Sequence, residues 1–235
     1  KVIRQTRSGR LIKNIMKKII ACGSIKPELE QTWNKEDEVD IEFLPQNLHR
    51  APHKMVEHIQ KALDKVEEHF EKVILGYGLC SNGIVGLIAP KQGLYIPKTQ
   101  DCIAFYLGSR EKYYEIFSKH PGTYHLTPSW IDNEKDPLGL IENEYTRRVG
   151  REMAEETMQY EIRNYEYISF INTGAGDIEK YRKRAKENAQ YFNKKFVEYN
   201  GTDEYFRKML QGPYNSKDFI YIEPKCKVTQ NEFLK

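Results

Sequence analysis

Cysteine and histidine residues follow several short apolar runs of this chain, and these residue types can carry out chemistry. The run "KKIIA" leads into Cys22, and the run "VILGYGL" leads into Cys80. Thiolates and imidazole are the ligands that zinc and iron–sulfur clusters use. The candidate metal site is therefore made of Cys22, His49, Cys80 and Cys102.

The spacing of these residues leaves two interpretations open, since no two of them form a CxxC pair. Free cysteines are often small buried hydrophobic residues, and His49 would then be a surface or capping residue. A helix starting at Cys102, with Asp101 as its N-cap, would instead stabilise a thiolate and favour the metal site. The absence of a close cysteine pair also predicts reduced thiols in a cytoplasmic protein.

The apolar runs themselves predict an α/β fold. Segments 17–23, 39–45 and 72–78 read as strands, and 51–70 reads as an amphipathic helix. A long helix between two strands indicates a crossover connection and hence a parallel sheet. Because the carboxyl ends of parallel strands share one edge, residues that follow these strands should meet there. We expect a mainly parallel sheet flanked by helices, with two lobes around a cleft as an open alternative.

The remainder of the chain continues the alternation of strands and helices. Segment 101–117 reads either as a strand and a helix or as two helices capped by Asp101 and Ser109. A lobe boundary, if there is one, is expected near 108–122. The other predicted elements are extended segments at 123–130, 167–174, 195–201 and 218–224, and helices at 143–162, 177–192 and 202–212.

Charge is concentrated in residues 1–15, which contain five basic residues and no acidic one. The whole chain has a net charge of +3, so the remainder carries −2 and lacks the field of a dedicated nucleic-acid binder. No apolar run approaches the ~20 residues of a membrane-spanning helix. We interpret 1–15 as a disordered extension, or as a segment upstream of the true start at Met16, and 16–235 as the α/β domain.

Deleting residues 1–15 should leave the melting temperature nearly unchanged, because the segment has few apolar side chains to bury and charge of one sign. Thermal unfolding of the shortened and full chains measures this. A large drop would show that the segment packs on the domain.

Two glycine-rich turns and one aromatic cluster are candidates for binding a small molecule. Glycines in "GYGLCSNG" and "NTGAGD" allow close backbone approach to a ligand, although simple turns explain both motifs equally well. The segment "PGTYHLTPSW" places aromatic residues beside a histidine, as many pockets do. The candidate binding residues are Gly78, Asn82, Gly83, Gly174, Tyr124, His125 and Trp130.

Several blocks taken together resemble one family, domain of unknown function 1638. The blocks are, in order, "IIACGSIKPEL", "LPQNLHRAPHKM", "VILGYGLCSNGIVGL", "DCIAFYLGSREKYYEIF", "PGTYHLTPSW" and "YISFINTG". The family pattern has cysteine at the positions of Cys22, Cys80 and Cys102 and histidine at that of His49, which favours a shared site. One departure is Gln100, where the family often has histidine. Cys226 lies outside the blocks.

The resemblance implies a cytoplasmic protein encoded near corrinoid-dependent methyltransferases. We therefore expect a metal- or cluster-binding accessory enzyme of one-carbon metabolism, with zinc or an iron–sulfur cluster as cofactor and a corrinoid or small methylated molecule as a further ligand. The alternative is a non-catalytic, cofactor-binding or chaperone-like partner of a corrinoid methyltransferase. Neither function involves a membrane, and nucleic-acid binding would rest on residues 1–15 alone.

Overall fold

The computed structural model of the protein describes residues 3–5, 11–13, 16–34, 38–46, 48 and 52–234. The chain divides into two compact units. Unit 1 comprises the described residues within 1–26, 33–102 and 207–235, and unit 2 comprises those within 27–32 and 103–206. The disorder expected for 1–15 and the boundary expected near 108–122 stay predictions.

The regular elements alternate along most of the chain. The strands are β1 (Ile3–Gln5), β2 (Leu11–Lys13), β3 (Lys17–Cys22), β4 (Val39–Leu44), β5 (Lys72–Gly76), β6 (Leu94–Pro97), β7 (Thr123–Leu126), β8 (Tyr167–Asn172), β9 (Lys195–Asn200) and β10 (Phe219–Ile222). The helices are α1 (Lys26–Thr32), α2 (Pro52–Leu63), α3 (Ile103–Leu107), α4 (Arg110–Lys119), α5 (Pro128–Asp132), α6 (Pro137–Leu140), α7 (Thr146–Val149), α8 (Arg151–Glu161), α9 (Ile178–Tyr191) and α10 (Glu204–Gln211). Strands β1 and β2 pair antiparallel.

Unit 1 is built on a five-stranded sheet with the order β10-β6-β5-β3-β4. Strand β3 pairs in parallel with both β4 and β5, and β5 pairs in parallel with β6. Strand β10 alone runs antiparallel, beside β6. The predicted α/β fold with a mainly parallel sheet is confirmed. Since the chain goes from β3 to β4 on one side and then to β5 on the other, the strand order reverses between β3 and β5.

The central strands are continuous apolar runs because both faces of the sheet are covered. Ile19, Ile20 and Ala21 of β3 are fully buried, as are Ile74 and Leu75 of β5. Alternating polar residues would be expected only for a strand with one solvated face. The apolar core of unit 1 therefore fixes the ends of β3 and β5 firmly relative to each other.

Helix α2 is shorter than the predicted 51–70, since it ends at Leu63. The chain tightens there, with the amides of Lys65 and Val66 donating to the carbonyls three residues earlier. Val66 then packs against the core of unit 1 and Phe70 is buried, both from the segment after the helix. Their helical spacing in the sequence was coincidental.

Unit 2 contains a separate parallel sheet with the order β7-β8-β9. Its middle strand, β8, has Ile168, Phe170 and Ile171 fully buried. Helix α9 begins after Asp177, whose side chain accepts a hydrogen bond from the Lys180 amide at 3.1 Å, as the sequence predicted. The carboxyl ends of β8 and β9 are followed by short loops that begin at 173 and 201.

The ambiguous middle segment forms two helices, α3 and α4, with Ser109 capping α4 through the Lys112 amide. Two other predictions for unit 2 were too simple. Segment 123–130 was predicted to be extended throughout, but its strand ends at Leu126 because Thr127 caps helix α5. The single helix at 143–162 is broken at Gly150, whose φ of 80° ends α7 before α8 begins.

In the part of the chain that the structure describes, no helix is both long enough and apolar enough to cross a membrane.

Candidate functional site

The three predicted cysteines of unit 1 lie on the carboxyl side of its parallel strands. Cys22 is the last residue of β3, and Cys80 lies in the turn after β5. Cys102 follows β6 and immediately precedes α3. Because β3 and β5 pair directly, Cys22 and Cys80 follow adjacent strand ends where the strand order reverses. Ligand sites of open parallel sheets gather at such a reversal.

The turn that carries Cys80 has an unusual backbone. Cys80, Ser81 and Asn82 all have positive φ, at 47°, 55° and 65°, although none of them is glycine. Such conformations cost about 1–3 kcal/mol each and persist where surrounding contacts determine them, often at functional sites. The Gly83 amide closes the turn by donating to the Cys80 carbonyl at 3.0 Å. Sequence reasoning missed this strain, since only Asn82 is of a residue type that commonly adopts the left-handed region.

Backbone hydrogen bonds fix the Cys80 turn to the segment that leads to Cys102. The amide of Leu79 donates to the Thr99 carbonyl at 2.9 Å, and the amide of Cys80 donates to the Gln100 carbonyl at 2.8 Å. Gln100, the departure from the family pattern, therefore contributes a backbone contact that any residue type can make. These two bonds bring the second and third thiols to one place.

Gly78 allows this close approach. A Cβ at Gly78 would lie 2.8 Å from the Asp101 Cα and 2.9 Å from the Thr99 hydroxyl oxygen, closer than side chains tolerate. Gly83, in turn, faces the sulfur of Met55, which would lie 2.7 Å from an added Cβ. Both glycines thus make room for the protein's own atoms, and a direct role for Gly78, Asn82 and Gly83 in ligand binding stays a prediction.

The thiols interact electrostatically, and burial keeps them protonated. Burial raises the pKa of Cys22. The Ser24 hydroxyl donates a hydrogen bond to the thiol sulfur at 3.2 Å, which offsets part of this rise. Burial, followed by the charge of Cys22, raises the pKa of Cys80. The pKa of Cys102 lies well above its ordinary value, first because the thiol is buried and second because the charge of Cys80 is nearby. Although Cys80 and Cys102 are half-buried as whole residues, their thiols are poorly solvated.

The sequence suggested that a helix starting at Cys102 would stabilise its thiolate, and this stabilisation stays a prediction. Helix α3 starts one residue later, at Ile103. The pKa of the Cys102 thiol is raised and not lowered, chiefly because the thiol is buried. Any charged form of the three thiols therefore needs a compensating positive group.

Two buried hydroxyl groups beside the thiols were missed by sequence reasoning. Tyr77 is 1% exposed and Thr99 is 2% exposed, and neither side-chain oxygen has a hydrogen-bond partner among the described residues. Burial and the neighbouring Cys22 raise the pKa of Tyr77, but the contact between the two side chains lacks hydrogen-bond geometry. Buried hydroxyls without partners are rare in proteins, and a bound polar molecule would satisfy them. The only signal in the sequence was their position next to the strand ends.

The metal-ligand prediction rests on four residues, of which three are described. His49 lies outside the described residues. Within the described ranges, no group of three or more His, Cys, Asp or Glu side chains is arranged to hold a metal ion. Cys22, Cys80 and Cys102 are near one another without forming a ready coordination shell, so binding a metal would require the thiols to turn and to lose their protons.

The remaining predicted residues belong to unit 2 and fall into its core or its loops. His125 accepts or donates a hydrogen bond at 2.7 Å with Ser169, and burial lowers its pKa to about 4, so the imidazole is neutral near pH 7. Tyr124 and Trp130 pack against the core of unit 2. Gly174 has a φ of 77° and open space around it, in a turn that the Asn172 side chain closes. Their binding roles stay predictions.

Comparison with known proteins identifies one family. The family described as "Protein of unknown function (DUF1638)" matches residues 43–210, a range that contains Cys80 and Cys102. No curated protein matches the chain, and no solved structure matches it. Because the family match spans more than half of the sequence and includes the blocks around Cys80 and Cys102, although not the one around Cys22, the chain belongs to the DUF1638 family of proteins of unknown function.

Proposed function

We propose that unit 1 binds a zinc ion or an iron–sulfur cluster through Cys22, Cys80 and Cys102, and that the protein is a cytoplasmic accessory enzyme of corrinoid-dependent methyl transfer. The observation that supports the metal site is the meeting of three thiols where the strand order reverses. Zinc and iron–sulfur clusters select thiolate ligands. The link to corrinoid chemistry rests on the family resemblance alone.

The surrounding residues have definite tasks in this proposal. The Ser24 hydroxyl already donates to the Cys22 sulfur and would continue to do so when that sulfur is a thiolate. The neighbouring Tyr77 hydroxyl would become a second donor to the same sulfur if it turned towards it. Donors of this kind orient metal ligands and tune their basicity. A bound zinc–thiolate centre would supply Lewis-acid activation of a thiol or methyl acceptor.

A second, non-catalytic function is also proposed, because the described residues form no ready coordination shell for a metal. A non-catalytic partner of a corrinoid methyltransferase would hold a cofactor in the same crevice without transforming it. The unpartnered hydroxyls of Tyr77 and Thr99 would then donate to polar groups of that cofactor. This function requires neither deprotonation nor turning of the thiols.

Metal reconstitution distinguishes these functions. Protein prepared without oxygen should bind zinc, or iron with sulfide, in stoichiometric amount, and an iron–sulfur cluster would add visible absorption bands. Because the pKa of each thiol is raised, binding should release protons and weaken as the pH falls. Metal analysis after gel filtration, repeated at several pH values, measures both effects. A chain that takes up neither metal contradicts the proposed site and favours the non-catalytic function.

A further inference from the structure

A second site candidate lies in unit 2, at the carboxyl edge of its parallel sheet. A cavity of about 90 Å³ opens between the loops that follow β8 and β9, and Glu28 of α1 contributes to its wall. Thr173 follows the last residue of β8, and Thr202 lies two residues after the end of β9. Ligands of parallel α/β sheets bind at this edge, although the order β7-β8-β9 has no reversal. The volume is more than enough for one water molecule, which needs roughly 10–15 Å³ on this measure.

Glu28 is the feature of this cavity that needs explanation. The residue is 4% exposed, and its Oε2 atom is buried without a hydrogen-bond partner among the described residues. Its other oxygen, Oε1, accepts a hydrogen bond from the Thr173 hydroxyl at 3.1 Å. Burial raises the pKa of Glu28 to about 7. A buried carboxylate is costly unless a positive charge or hydrogen-bond donors compensate it.

The other lining residues restrict the chemistry of a ligand. Asp203 is the second ionisable residue of the lining, and no described lining residue is basic, so an anion would be repelled. Phe206, which is fully buried, contributes an aromatic ring. Calcium takes six to eight oxygen ligands and magnesium needs near-octahedral oxygens, a demand that two carboxylates beside an aromatic ring do not meet. A small organic cation needs only a few hydrogen-bond acceptors, such as this carboxylate.

We propose that this cavity binds a small primary ammonium ion, with an N–H group of the ion donating to Oε2 of Glu28. The hydroxyl of Thr202 and the amide of Gln31 line the same cavity and can accept or donate the remaining hydrogen bonds. The cavity has room for ammonium or methylammonium. The site is independent of the thiols of unit 1, so the two proposals stand or fall separately.

Thermal unfolding with different chloride salts tests the proposal on the intact protein. Methylammonium should raise the melting temperature saturably, whereas potassium and tetramethylammonium at equal ionic strength should not, because neither of these two ions has an N–H group to donate. The rise should be larger at pH 8 than at pH 6, where Glu28 holds its proton. An equal effect of potassium or tetramethylammonium, or no saturable rise, would overturn the proposal.

A matched pair of variants identifies the residue responsible. Glu28→Gln keeps the size of the side chain but removes the charge, and should weaken methylammonium binding by roughly tenfold or more. Glu30→Gln makes the same change at an exposed position of the same helix and should bind as the unchanged protein does. Unchanged binding by Glu28→Gln would overturn the assignment. If that variant does not fold, the salt selectivity and pH dependence of the unchanged protein still decide the outcome.

Discussion

The Cys80→Ser variant is expected to lose all stoichiometric metal while remaining folded. Serine is nearly isosteric with cysteine, and its hydroxyl is a much poorer ligand for zinc or iron than a thiolate. Cys80 interacts electrostatically with both Cys22 and Cys102, so its loss should leave too few ligands. Metal analysis and circular dichroism of the reconstituted variant measure the two parts of this result.

Cys226→Ser is the matched control, because Cys226 is exposed and is not among the thiols of the candidate site. It should bind metal as the unchanged chain does. If Cys80 is instead only a packed core residue, Cys80→Ser should lower the free energy of unfolding by roughly 1–3 kcal/mol, with no metal to lose. Retention of stoichiometric metal by Cys80→Ser would show that Cys80 is not a ligand.

The fold could be predicted wherever burial alone decides the local structure. The apolar runs of β3 and β5 are covered on both faces, so their sequence pattern and their structure agree. Prediction was less successful where a single backbone position decides. Gly150 interrupts a long amphipathic pattern through a positive φ, and the end of α2 at Leu63 comes from a tightened turn. Periodicity describes which face is buried and carries little information about where a helix ends.

The thiols of the candidate site could be predicted because each one follows a strand of a parallel sheet. Their surroundings could not. Tyr77 and Thr99 are common residue types at ordinary positions, and only the packing of two loops across Gly78 leaves their hydroxyls buried and without partners. Glu28 gave no signal either, since a glutamate in the first turn of a helix usually lies in solvent. Its burial depends on contacts with residues more than 140 positions away, such as Thr173.

The Glu28→Gln variant should change the pH dependence of stability, independently of any ligand. Burial raises the pKa of Glu28 from 4.5 to about 7, so the folded chain holds a proton that the unfolded chain releases between these values. The resulting contribution to stability is fully present below pH 4.5 and is lost as the pH rises through about 7. Above that pH the folded chain must bury a charge that glutamine does not carry.

At pH 8 the Glu28→Gln variant should therefore have a higher free energy of unfolding than the unchanged chain, by up to roughly 3 kcal/mol, since each pKa unit corresponds to about 1.4 kcal/mol. At pH 4.5 the two chains should differ much less, because Glu28 is then protonated in the folded state. Urea unfolding in amine-free phosphate and acetate buffers measures both values. Glu30→Gln, at an exposed position, should show nearly the same small difference at both pH values. A Glu28→Gln effect that is equal at pH 4.5 and pH 8 would mean that the pKa of Glu28 is the same in the folded and unfolded chains, and that burial does not raise it.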